Sequence, residues 1–92
     1  MNHERAEQIA ISALLWLASN EELLPVFLGS CGASVEDLRG QAENPAFLGS
    51  VLDFLTMDDA WVVEFCDANG CKYEDPLMAR YALPGAQDVH WT

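Results

Sequence analysis

Basic residues are scarce. Arg5, Arg39, Lys72 and Arg80 are the four in 92 residues, against 15 Asp and Glu, which leaves a net charge of −11. They are scattered and form no patch. Contact with a nucleic-acid backbone or an anionic membrane needs clustered Lys and Arg, so direct binding to either is disfavoured. An acidic chain is better suited to a basic protein partner.

Histidine and cysteine are scarce too. His3 and His90 lie near the two ends and no His falls between them, so a serine nucleophile would have no base; no nucleophile-elbow pattern and no glycine-rich phosphate loop occurs either. Three Cys cannot all pair within one chain. Long apolar runs are also missing: IAISALLWLA at 9–18 is ten residues, too short for a membrane span, and the acidic Glu4 and Glu7 precede it where a secretory signal carries positive charge. A reducing cytoplasm is the expected setting. Alternating apolar and polar residues, the mark of a strand, do not persist beyond a few positions, which leaves helix as the main element.

What is present is a run of helix signals. Asn2 is placed to cap a first helix, His3 to Ala18, whose second half is apolar on nearly all sides except Ser12, as in a helix at the middle of a bundle. Asn20-Glu-Glu opens a second helix with Leu23, Leu24, Phe27 and Leu28 on one face. Pro25 forces it to start within a turn, and Gly29 and Gly32 are expected to end it. Ser34-Val-Glu-Asp37 reads as a capping box for a short third helix ending near Gly40. Asn44-Pro45 starts a fourth, with Phe47, Leu48, Val51, Leu52 and Leu55 as its stripe. Thr56-Met-Asp-Asp59 reads as the start of a fifth, carrying Trp61, Val62, Phe65 and Cys66 and stopped by Gly70. Asp75-Pro76 opens a last one through Leu77, Met78, Tyr81 and Ala82. Residues 1–84 should form one domain and 85–92 a flexible tail.

Shifting the chain by 38 residues lays its first half on its second. Residues 9–40 and 47–78 share seven identities in 32: Ser12 and Ser50, Leu14 and Leu52, Leu17 and Leu55, Phe27 and Phe65, Gly32 and Gly70, Glu36 and Glu74, Asp37 and Asp75. Unrelated stretches would share about two. The expected fold is therefore all-α: a compact bundle of five or six helices built from two similar halves. The acidic doublets Glu21-Glu22, Glu36-Asp37, Asp58-Asp59 and Glu74-Asp75 each fall at a helix start, where negative charge offsets the helix dipole.

The stretch FCDANGCKYED holds the one local concentration of reactive groups. Cys66 and Cys71 have four residues between them where zinc pairs commonly have two, and neither His is near; the calcium pattern fails as well, since Gly comes fourth and Met78 stands where a bidentate Glu is needed. Cys66 takes the place of Leu28 in the repeat and reads as a small buried apolar residue, while Cys71, beside Lys72, is the thiol with local electrostatic support. Trp16 and Trp61 read as core. Trp91 in the tail could dock on a partner or on a second copy.

The order NEELLPVFLGSCG, EDLR, NPAFLGSVLDFL and DDAWVVEFC resembles a small bacterial, mainly alphaproteobacterial, family of uncharacterised helical proteins, domain of unknown function family 3572. The resemblance runs to Leu83. It implies an all-helical cytoplasmic protein with no assigned activity, so it supplies no catalytic, cofactor-binding, metal or partner-binding residues to carry over. The expectation from residues and resemblance together is a small acidic non-enzymatic module without cofactors that binds an unknown protein partner or a second copy of itself. A thiol- or metal-dependent protein using Cys66 and Cys71 is the alternative; an acidic nucleic-acid mimic that binds a basic protein is the weaker one.

Overall fold

A computed structural model of the chain describes residues 1–32 and 34–83, Cys31 by its backbone alone. Among the described residues there are six α-helices and no strand: α1 (His3–Ala18), α2 (Leu23–Cys31), α3 (Val35–Gln41), α4 (Pro45–Leu55), α5 (Asp59–Asn69) and α6 (Asp75–Ala82). The expected all-helical bundle is present, with the larger of the two helix counts. The expected tail 85–92, with Trp91 and His90, lies outside the described residues, as does Pro84.

Most helix starts are set by local side chains. Asn2 Oδ1 accepts from the Arg5 amide at 2.8 Å to open α1, and Asn20 Oδ1 accepts from the amides of Glu22 and Leu23 just before α2. Pro25 falls in the first turn of α2, where an amide proton would have no helical partner, so it costs nothing there. Ser34 and Asp37 form both bonds of a capping box, so Asp serves where Glu is usual. Asn44 caps α4 with Pro45 at its first position.

Two expected boundaries move. Gly29 lies inside α2, which continues to Cys31 and stops at Gly32 with φ of 70°: one glycine in a helix is a tolerable cost, and only the second is needed in the left-handed region. Thr56 does not begin α5. Its hydroxyl donates back to Leu52 and its amide bonds Leu52 as well, so it closes α4; Asp58, accepting from the Ala60 amide at 2.8 Å, caps α5.

The core joins both halves. Ile9, Leu14, Leu17, Phe27, Leu48, Val51, Leu52, Leu55 and Phe65 are buried in one cluster. α1 packs on α4 and α6, α4 on α6, and α2 and α5 lean on α1. Ala6, Ala10 and Ala13 are wholly buried on α1, where small side chains let neighbouring helices approach closely. Two edge-on ring contacts tie the halves: Trp16 of α1 meets Phe65 of α5 at 6.0 Å, and Phe54 of α4 meets Phe27 of α2 at 5.2 Å. Each pair becomes the other when its members are shifted by 38 in opposite directions.

Two helices present faces other than those expected. α1 is a central element, but it is not covered all round, because Ile11, Leu15 and Ala18 form an exposed strip. On α6 the apolar stripe Leu77, Met78 and Tyr81 points outward, and Pro76, Ala79, Arg80 and Leu83 point in. Arg80 buries its stem and donates from Nε to Asp53 of α4; its Nη1 is buried and has no hydrogen-bond partner among the described residues. A small Ala and a long stem beside an ion pair fit close against α1 and α4 where Leu and Met would not.

Candidate functional site

The helix end at residues 66–75 is the first place where reactive groups converge. Gly70, with φ of 69°, takes the left-handed position just past α5, and the amides of both Gly70 and Cys71 bond back to the Cys66 carbonyl, the latter at 3.1 Å. A bond from the second residue past the helix to the third from its end defines the Schellman closure, in which those two side chains commonly rest on each other. They are Cys66 and Cys71. The sulfurs lie over the same turn: Cys66 Sγ is 3.3 Å from the Lys72 carbonyl, and Cys71 Sγ is 4.0 Å from that of Asn69. Spacing by five is thus a consequence of how this helix stops. The position of Gly70 in the sequence carried that signal.

Electrostatics keep both thiols protonated near neutral pH. Burial, with Cys71, Asp75 and Asp67 adding to it, pushes the Cys66 thiol up to about 11. Cys71 is raised as well, chiefly by burial; Arg5, reaching over from α1, pulls the other way and Asp75 adds to the rise. The local cation that helps Cys71 is therefore Arg5 and not Lys72, and it does not outweigh burial. Asp67 accepts from the Tyr73 hydroxyl at 2.8 Å and raises that phenol by the bond. No group of three or more His, Cys, Asp or Glu placed to hold a metal occurs among the described residues. His3 is a turn into α1 from its cap, with Nδ1 3.3 Å from Glu7.

The second candidate is the outer face of α6. Glu74, Leu77, Met78 and Tyr81 follow one another at helical spacing and are all exposed, Tyr81 by 68%. Met1 comes alongside, and with Met78, Tyr81 and Ala82 it lines a shallow groove of about 260 Å³. No described residue covers this strip. Sequence reasoning missed it by assigning the same apolar residues to the core.

An open groove of about 430 Å³ between α2, α3 and α4 is lined by Gly32, Asp37, Gln41, Asn44, Phe47 and Ser50 among others. Its polar groups are already engaged. Asp37 accepts from the Ser34 amide, and Asn44 donates to Gln41 and accepts from Ala46. Trp16 and Trp61 pack half-buried against the core, and no single helix among the described residues is long and apolar enough to cross a membrane.

Residues 3–86 match the family model described as Protein of unknown function (DUF3572), and the chain belongs to that family. No curated protein and no solved structure matches it.

Proposed function

We propose that this member of the DUF3572 family is a small, acidic, non-enzymatic module of the cytoplasm that docks a basic protein on the outer face of α6. The reading rests on one observation: Leu77, Met78 and Tyr81 stand in solvent as a continuous strip, with Met1 beside them and Glu74 at one end. Exposed apolar strips rimmed by charge are typical of docking surfaces, and Tyr and Met are favoured in them. Charge decides the partner. Two copies carrying −11 each repel, whereas Lys and Arg flanking an apolar ridge would be drawn to the surface and steered onto it.

The offset between the two halves belongs to the same proposal. We read α1–α3 and α4–α6 as related units, a reading supported by the shared residues and by the exchanged ring pairs Trp16 with Phe65 and Phe54 with Phe27.

Affinity capture at native level, comparing the intact chain with Leu77→Glu,Tyr81→Glu, tests the docking proposal. The intact chain should retain a basic protein that the variant loses, and the purified pair should bind more weakly as salt rises. Capture that the variant leaves unchanged, or sedimentation of the purified chain as a stable dimer through this face, would contradict it.

A further inference from the structure

We infer that Cys66 and Cys71 form a dithiol that closes to an intramolecular disulfide by exchange with a small-molecule disulfide of the glutathione type. Three observations carry this. Their backbones are joined by a 3.1 Å hydrogen bond across the helix end, and a disulfide spans Cα separations of about 4.4–6.8 Å. Both sulfurs lie over that same turn, Cys66 reaching past Cys71 to the Lys72 carbonyl. The two differ in access: Cys66 is 1% exposed, and Cys71 is partly open to solvent with Arg5 nearby. Packing alone would ask for no sulfur here, since Leu28 and Ala33 occupy the corresponding positions 38 residues earlier.

That difference in access orders the exchange. The Cys71 thiolate attacks one sulfur of the small disulfide, breaking its S–S bond and expelling one thiolate; a mixed disulfide remains on Cys71. Cys66 then loses its proton and attacks the Cys71 sulfur, and the second small thiolate leaves. Two electrons pass from the protein dithiol to the small disulfide, and the two protons released are taken up by the two departing thiolates. Because burial raises both thiols above their usual value, exchange is slow near neutrality and quickens with pH. Below the thiol pKa the thiolate fraction, and with it the rate, rises about tenfold per pH unit.

Tryptic peptides read the outcome cleanly. Cleavage after Arg39 and Lys72 puts Cys66 and Cys71 together in peptide 40–72, and Cys31 alone in peptide 6–39. The folded chain is incubated with glutathione disulfide in excess over glutathione, quenched in acid, alkylated and digested. Peptide 40–72 should lose two hydrogens and take up no alkyl group, while Cys71→Ser should leave Cys66 alkylated and unbridged. Two alkyl groups on peptide 40–72 of the intact chain, or a cross-link of that peptide to 6–39, would overturn the assignment.

Discussion

The halves α1–α3 and α4–α6 match up to a glycine and part after it. α2 and α5 each end on a glycine in the left-handed region, Gly32 and Gly70, with φ of 70° and 69°. Beyond them the chain does different things. α3 has a complete capping box yet buries only Leu38. α6 has no side-chain cap from Glu74, yet it buries Pro76, Ala79, Arg80 and Leu83 and lies against both α1 and α4. Of the two third helices, one is held mainly from its own start and the other by the core. Local bonds stabilise a short helix by about 1 kcal/mol, whereas each buried side chain is worth about 1.5–3 kcal/mol, so α6 can do without a cap and α3 cannot.

The largest test asks how far the halves are equivalent. Phe27→Ala and Phe65→Ala, each removing one ring of an exchanged pair, should cost about 3–5 kcal/mol apiece in denaturant unfolding, and Leu14→Ala and Leu52→Ala about 2–5 kcal/mol. A loss below about 1 kcal/mol at one member of a pair would break the correspondence there. Next comes the ionic contact that α6 has and the shift does not reproduce in α3, where Ala42 corresponds to Arg80. Asp53→Ala leaves a buried guanidinium without its acceptor and should cost roughly 1.5–3 kcal/mol. Arg80→Met should lie within about 1 kcal/mol of the parent or be more stable, since an apolar side chain of similar length fills the same space.

Smaller effects separate the shared feature from the divergent one. An added Cβ at Gly32 or Gly70 meets nothing within 4 Å, so Gly→Ala at either should cost only the left-handed backbone penalty, about 1–2 kcal/mol, and equally at both. Ser34→Ala should cost about 1 kcal/mol, and Glu74→Ala a few tenths, when melting midpoints are compared. Equal losses at Ser34 and Glu74 would mean that α6 depends on its start as α3 does.

The same contrast explains what could be read from residues alone. Starts and stops were legible because Asn2, Asn44, Ser34 with Asp37, Gly32 and Gly70 act on backbone groups a few positions away. Where two local signals overlapped, as at Thr56 and Asp58, the nearer cap won. The inward face of α6 was not legible. Its two candidate stripes differ in hydrophobicity in the wrong direction, and the choice between them is made by the space beside α1 and α4 and by Asp53, 27 residues away. The thiol pair was half legible: the spacing was plain, and its cause is the Schellman closure that Gly70 announces. The exposed strip on α6 followed from the misread face and so stayed hidden with it.

Photo-crosslinking from α6 and α3 in the same cells tests the docking proposal most directly. A benzophenone side chain is placed at Met78 in one variant and at Val35 in another, both exposed positions. The account predicts an adduct with one basic protein from position 78, lost when Leu77→Glu is added, and none from position 35. Equal labelling from the two positions, or no adduct from position 78, would contradict it.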